Sequence, residues 1–265
     1  MDGQHADPVG KLQRQAAARR WSVETALDWS ELKLGLLPSR IQSAMAHVYS
    51  HVLQAEMFGL DAAHRAHELA PTCSLREFGA TQVADETRHV TFFRQIAERL
   101  GANVSNSATL SALEDDLASV WDYDELILHA QILEVAAQTL FIGTGKHGLA
   151  LMSDALRLPG TRSTAILLEA IMKLVGGDEA RHVAFGMHVL KTRLPGHTPA
   201  SRRRLELRAR RYSRDVLDAL LEVHSSFEVL GLPVANLRDR IWTAERRRMA
   251  VLAFDIGPQP LNNAP

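Results

Sequence analysis

The amino-acid sequence predicts an all-α protein, with a four-helix bundle core and additional flanking helices. Three observations support this class. Aromatic residues make up only 6% of the chain, and alternating strand-like runs are few. Glycine and proline cluster at intervals that leave stretches long enough for helices of several turns. Within those stretches, apolar residues recur at steps of three and four, as they do on one face of an α-helix.

The composition limits the kinds of function. Hydrophobic residues make up 46% of the 265-residue chain, enough for a sizeable core. The 30 basic residues nearly balance the 31 acidic ones, which argues against a nucleic acid or a membrane as partner. A single cysteine, Cys73, excludes an internal disulfide and a CxxC metal site. With no secretory signal or membrane span visible, we expect a cytoplasmic protein.

The clusters of helix-breaking glycine and proline residues divide the chain into an arm, one domain and a tail. We expect an N-terminal arm over residues 1–20, a single domain over residues 21–256 and a C-terminal tail over residues 257–265. Inside the domain, breakers lie at Gly35–Pro38, Pro71–Ser74, Gly101–Ser107, Leu158–Thr161, Pro195–Ala200 and Gly231–Pro233.

The first two bundle helices each place charged residues on their apolar face. Over residues 38–70, Glu56 falls within the stripe of core positions. Over residues 74–100, Glu86 and His89 do the same. Glu56 and Glu86 lie at similar distances from the turn between the helices, so we expect them to be level.

The last two bundle helices repeat this arrangement. Over residues 110–157 the stripe is less regular, but it includes Glu134. Over residues 162–191 it includes Glu179 and His182. Glu134 lies farther from the intervening turn than Glu179 does.

A break at Gly143, Gly145 or Gly148, or a bulge at Gly176-Gly177, would absorb that excess. The glycine pair is equally consistent with a helix that begins near residue 178. The rival carboxylate Glu169 is rejected because it shares a helix with Glu179, about 15 Å along its axis.

Four glutamates and two histidines at core positions require compensation, because an unpaired buried carboxylate is costly. On a helix, the E-x-x-H spacing aims a carboxylate and an imidazole at one point. Both pairs lie within a repeated D-E-x-R-H sequence, at residues 85–89 and 178–182. This repeat predicts a two-metal site between four helices. The predicted ligands are Glu56, Glu86, His89, Glu134, Glu179 and His182.

The ligand types favour iron. Four carboxylates balance two divalent ions, and mixed carboxylate and imidazole ligands suit iron or manganese. We therefore expect two iron ions, with a manganese–iron pair as the alternative. Around them, Asp178 would hold His89 and Asp85 would hold His182, while Arg88 and Arg181 pair with the aspartates. The substrate pocket is expected to be lined by Gln82, Phe93, Gln138, Phe141 and Phe185.

The order Glu, D-E-x-R-H, Glu, D-E-x-R-H resembles the ferritin-like diiron-carboxylate oxidases and oxygenases over residues 38–192. This group includes the ribonucleotide reductase small subunit and its ligand-binding oxidase relatives, multicomponent monooxygenase hydroxylases, desaturases and arylamine N-oxygenases. The resemblance implies a diiron enzyme that uses O2 to hydroxylate, desaturate or N-oxygenate an organic small molecule. It also implies a ferredoxin or reductase as electron donor. An acyl carrier protein and a homodimer are further expectations.

At three positions the sequence departs from the pattern of particular branches of this group, which makes close membership in those branches less favoured. Phe93 occupies the position of the reductase radical tyrosine, and Val175 that of an additional histidine in the arylamine N-oxygenases. Gln138 stands where the multicomponent hydroxylases carry a threonine. A ferroxidase or iron-storage protein, and a structural metal site, remain alternative functions. The 12 arginines of residues 201–248 form either a solvated face or a dock for an acidic partner.

Overall fold

The computed structural model describes residues 7–143 and 160–259. Over these ranges the regular secondary structure is helical and contains no β-strand, which confirms the all-α prediction. The α-helices run in this order: α1 Pro8–Ala18, α2 Ser39–Leu69, α3 Cys73–Arg99, α4 Ala108–Ala118, α5 Tyr123–Gly143, α6 Arg162–Arg193, α7 Pro199–Leu221, α8 His224–Val229 and α9 Val234–Val251. None of the described helices is long and apolar enough to cross a membrane.

Helices α2, α3, α5 and α6 form the four-helix core. Helices α2 and α3 pack along each other as a hairpin, and α5 packs along α6 in the same way. The first hairpin turns sharply because the Thr72 side chain accepts a hydrogen bond from the Leu75 backbone N–H at 3.3 Å, which caps α3. The two hairpins meet through α2 against α5 and α3 against α6.

The remaining helices cover this core. Helix α1, within the predicted N-terminal arm, packs on α3 and α6 through buried residues that include Val9 and Ala16. Helices α7 and α9 pack on α5, and α8 packs on α2. The faces of α2 and α5 that point away from α3 and α6 are therefore covered by α7, α8 and α9.

The third predicted helix needs a correction. Residues 110–157 were expected to form one helical stretch, but α4 and α5 are separated by residues 119–122. The Asp122 carboxylate accepts a hydrogen bond from the Glu125 backbone N–H at 2.9 Å and so begins a new helix. The possible breaks at Gly145 and Gly148 lie outside the described residues.

The glycine pair at Gly176-Gly177 lies inside a continuous α-helix. Helix α6 starts at Arg162, well before the glycines, so the alternative of a helix start near residue 178 was wrong. The chain is α-helical through both glycines and shows no π-helical turn there. This long, unbroken helix carries the second D-E-x-R-H sequence into the middle of the bundle.

Candidate metal centre

All six predicted ligands converge in the middle of the four-helix core. Each of the four helices contributes a glutamate, and α3 and α6 each add a histidine one turn later. Every one of these side chains is buried, with at most 7% of its surface exposed: Glu56, Glu86, His89, Glu134, Glu179 and His182.

The first half of the centre surrounds His89. Its Nδ1 atom lies 3.4 Å from Glu56 Oε2, 3.3 Å from Glu86 Oε2 and 3.3 Å from Glu179 Oε1. Ligand atoms of these four residues all lie within 4.8 Å of one another. They surround one point that a cation could occupy.

The second half has the same composition around His182. Its Nδ1 atom lies 3.0 Å from Glu86 Oε1, 3.3 Å from Glu134 Oε2 and 3.5 Å from Glu179 Oε2. This group is also within 4.8 Å throughout. Glu86 and Glu179 therefore belong to both halves, and each directs one carboxylate oxygen to either side.

Several of the converging atoms have no hydrogen-bond partner among the described residues. They include Glu86 Oε1, Glu179 Oε2 and His89 Nδ1, all buried. A carboxylate oxygen buried without a donor is strongly destabilising unless a cation lies beside it. The donor set and these orphaned atoms fit two metal ions bridged by two shared carboxylates.

The outer nitrogen of each histidine faces an aspartate from the opposite D-E-x-R-H sequence. His89 Nε2 lies 3.4 Å from Asp178 Oδ2, and His182 Nε2 lies 3.1 Å from Asp85 Oδ2. A proton on Nε2 donates to the aspartate and leaves the Nδ1 lone pair free to bind a cation. The contacts expected from the sequence are thus present on both sides.

Two arginines join these aspartates across the bundle. Arg181 donates to Asp85 and to Asp178, in each case at 2.7 Å. Arg88 pairs with Asp85 and lies 3.5 Å from Asp178. Each aspartate is therefore held by both arginines, which fixes its orientation toward the imidazole.

Trp21 is a contact that the sequence analysis missed. Its indole N–H donates to Asp178 Oδ2 at 2.8 Å, and its ring stacks near His89 with centroids 6.3 Å apart. Trp21 lies between α1 and α2, where no helical periodicity relates it to the bundle. Asp85 receives no tryptophan bond among the described residues, so the two halves differ at this point.

Two buried glutamines lie beside Glu134. Gln82, expected to line the substrate pocket, donates to Glu134 Oε1 at 2.7 Å and so contacts a candidate ligand. Gln131 is 1% exposed, and both its amide atoms are without a hydrogen-bond partner in the described part of the chain. A Cβ atom at Gly186 would lie too close to the Gln131 amide oxygen, so a larger residue there would require the Gln131 side chain to move.

Burial and the neighbouring side chains both change the pKa values of the candidate ligands. Burial raises the pKa of Glu56 to about 8 and that of Glu134 well above its usual range. Burial also opposes protonation of His89 and His182, but the surrounding carboxylates outweigh it and raise both pKa values.

An apolar cavity reaches the centre at Glu56. It lies between α2, α5, α7 and α8, and its empty space, including the mouth, is about 590 Å³. Glu56 and His51 are the only polar residues among the described ones that line it. Both of these polar side chains are buried.

Of the five expected pocket residues, Phe141 lines this cavity. Phe93 lies directly behind it, stacked on Phe141 with ring centroids 5.5 Å apart. Phe185 instead stacks on Phe78 at 3.8 Å in the core. Gln138 faces α9, where it accepts a hydrogen bond from Arg248 at 2.8 Å. Gln82 does not line the cavity. Four of the five residues are buried as expected, whereas Gln138 is half-buried, and the sequence does not tell which neighbouring helix a residue faces.

The comparisons with known proteins agree with this architecture. No protein-family model matches the chain, and no curated protein is similar enough in sequence to match it. Among solved structures, an R2-like ligand-binding oxidase with an aerobically reconstituted Mn/Fe cofactor matches with a TM-score of 0.70 at 16% identity, covering 96% of this chain and 94% of that chain. A protein from Synechococcus with aldehyde deformylating oxidase activity matches with a TM-score of 0.64 at 14% identity, covering 83% and 94%. At such low identity the likeness establishes a common fold, that of the ferritin-like oxidases.

Proposed function

We propose that this chain is an O2-dependent oxidase or oxygenase that holds two metal ions and oxidises an apolar organic small molecule. One observation carries the proposal: two equivalent ligand groups share Glu86 and Glu179, and each shared carboxylate directs one oxygen to either side. Such a pair of adjacent, bridged positions suits two cooperating redox metals better than one structural ion.

The residues suit an iron pair or a manganese–iron pair. Four glutamates offset the charge of two divalent ions, and each ion would also bind the Nδ1 atom of one histidine. Iron is the first choice, and the Mn/Fe cofactor of the structurally similar R2-like oxidase supports the mixed pair as the alternative. Bound here, the metals would supply the redox chemistry that joins O2 reduction to substrate oxidation.

The protein's own residues control protons and water around this chemistry. Asp85 and Asp178 hold the Nε2 protons of the histidines, which keeps both Nδ1 atoms directed inward. Gln82 holds one oxygen of Glu134 and thereby limits that carboxylate's movement. The apolar walls of the cavity exclude bulk water from Glu56, which protects a reactive centre from side reactions.

The cavity indicates the substrate class. Its lining is aliphatic and aromatic apart from Glu56 and His51, so it favours a hydrocarbon-like portion of the substrate. One end of that substrate would lie at Glu56, beside the centre. The aldehyde deformylating oxidase activity of a protein with this fold, together with the apolar lining, makes apolar aldehydes reasonable first compounds to test.

A ferroxidase or iron-storage role is the alternative, and the apolar cavity favours the organic substrate over it. Storage would require a 12- or 24-subunit cage, which gel filtration distinguishes from the homodimer that we propose. We further propose a ferredoxin or reductase as the electron donor, and an acyl carrier protein as a possible carrier of the substrate.

The test combines metal stoichiometry with a variant that fills the cavity. We expect about two irons per chain after anaerobic loading, followed by an optical change on mixing with O2 and O2-dependent turnover of an apolar compound. Ala219 on α7 lines the cavity but belongs to none of the ligand helices.

Ala219→Phe should therefore retain both irons and lose turnover, whereas Ala219→Val should lose much less. Fewer than two irons in the parent protein would contradict the proposal. Full turnover by Ala219→Phe would place the substrate elsewhere.

A further inference from the structure

A second concave site lies between α5 and α9, away from the apolar cavity. Its empty space, including the mouth, is about 810 Å³. Three arginines line it, namely Arg240, Arg247 and Arg248, and we call it the arginine hollow. None of its lining residues is a candidate metal ligand.

The sequence of α9 creates the hollow. Arg240, Arg247 and Arg248 are spaced by seven and eight residues, so they lie on one face of the helix, two turns apart. Between them on that face lie Thr243 and Ala244, whose side chains are short. Long cationic side chains at both ends and short ones between leave an open space with a positive rim.

The arginines of the hollow differ from those of α7 in how their charge is balanced. On α7, arginines such as Arg203 and Arg211 form ion pairs with Glu206 and Asp116. By contrast, the three arginines of the hollow form no ion pair with any residue in the described part of the chain.

One carboxylate, Asp239, also lines the hollow. Its Oδ1 atom accepts a hydrogen bond from the Gln259 side chain at 2.7 Å. Three cations and one anion leave the hollow with a net positive charge that a bound anion would balance.

Gln138 adds an oriented donor from α5. Its amide oxygen accepts from Arg248 Nη2 at 2.8 Å, so its NH2 group remains available to donate. Arg248 is itself held, since its Nη1 atom donates to the Ala244 carbonyl at 3.3 Å. The hollow thus presents guanidinium, amide and hydroxyl donors, and planar guanidinium groups match the oxygens of phosphate and carboxylate.

We propose that the arginine hollow binds a small polyanion, a molecule that carries phosphate or several carboxylate groups. The concave shape favours a small molecule over the convex surface of a protein partner. Binding here does not depend on the metal centre or on the proposed oxidase activity, so the two proposals can fail separately.

The test is calorimetric titration of the whole protein, without added metal, at constant ionic strength. The probes are pyrophosphate for the phosphate source and citrate for the carboxylate source. We expect saturable binding of one molecule per chain for at least one of them. The variant Arg240→Gln/Arg247→Gln should weaken binding about tenfold or more, because it removes two charge-assisted contacts.

The matched control is Arg203→Gln/Arg211→Gln, which removes the same charge from α7, where both arginines are already paired. It should bind the anion about as well as the parent. An equal loss in both double variants would show a diffuse charge effect and overturn the proposal. Saturable binding of poly-glutamate with none of pyrophosphate or citrate would also overturn it, in favour of an acidic protein partner.

Discussion

The candidate metal centre and Glu245 on α9 are two contrasting settings for buried carboxylates. In the centre, four glutamates lie together with two histidines, and each aspartate behind them is held by arginine. Glu245 is fully buried too, yet neither of its carboxylate oxygens has a hydrogen-bond partner among the described residues. Burial raises its pKa to about 8, against smaller opposing effects of Ser213 and Arg248.

This difference separates two ways of tolerating a buried acid. A lone carboxyl such as Glu245 avoids the cost of burial by keeping its proton. Clustered carboxylates cannot all do so while imidazoles face them, and a pair of cations would satisfy them together. Burial of an acid alone therefore does not indicate a metal site, whereas the convergence of several carboxylates with imidazoles favours one.

The largest expected effect comes from removing a shared carboxylate. Glu179→Gln removes a charged ligand from both metal positions at once, so iron bound per chain should fall from about two to fewer than one. Glu245→Gln is the matched control, because it makes the same change at a buried glutamate outside the centre, and it should retain both irons. Metal analysis after anaerobic loading measures this. Two irons in Glu179→Gln would refute its role as a bridging ligand.

A smaller loss should follow when the support of one imidazole is removed. Asp178→Ala leaves His89 Nε2 without its partner and should lower iron affinity about 10- to 100-fold. Asp115→Asn, at an exposed position on α4, should leave affinity unchanged. Competition with a chelator of known affinity gives both values. Unaltered affinity in Asp178→Ala would show that the aspartate is not needed to orient the histidine.

The pH dependence of stability should identify Glu245 as a buried neutral acid. Its pKa is raised from 4.5 to about 8 in the folded protein, so ionisation favours the unfolded chain as the pH rises through this window. The stability lost is small below about pH 4.5 and complete above about pH 8. Glu245→Gln removes this loss, so it should raise Tm by several degrees at pH 9 and much less at pH 5.

Thermal unfolding of the metal-free proteins at both pH values measures that difference. Glu228→Gln, at an exposed position, provides the control for a change of one charge. The same shift at pH 5 and pH 9 would contradict a protonated, buried Glu245.

The smallest effect is expected at Trp21, whose hydrogen bond to Asp178 has no tryptophan counterpart at Asp85 among the described residues. Trp21→Phe keeps an aromatic ring beside His89 but removes the hydrogen bond to Asp178. A single hydrogen bond to a charged group is worth about 1.5–3 kcal/mol at most, and the arginines still hold Asp178. Iron affinity should therefore fall only a few-fold in chelator competition. A loss as large as that of Asp178→Ala would make Trp21 the main support of the aspartate.

The helical class could be predicted from the sequence, and so could the convergence of the six candidate ligands. Both predictions were possible because helical periodicity shows which face of each helix is buried. The repeated D-E-x-R-H also predicted that Asp85 and Asp178 face the opposite histidines. Trp21 was missed because it lies in an irregular segment whose position depends on tertiary packing. Gln138 faces α9 and not the cavity, since periodicity does not encode which neighbour a buried face meets. The ligand roles themselves stay predictions until metal is measured.

The division of ligands between the hairpins has a consequence for how the chain holds together. The α2–α3 hairpin supplies Glu56, Glu86 and His89, and the α5–α6 hairpin supplies the other three. Neither hairpin alone contains all the candidate ligands of one metal position, because each half of the centre takes ligands from both hairpins. Metal ions would thus bind only when the two hairpins are already docked, and they would then link the hairpins to each other. Bound metal would therefore disfavour any separation of the two hairpins, whereas local fraying at the helix ends would be unaffected.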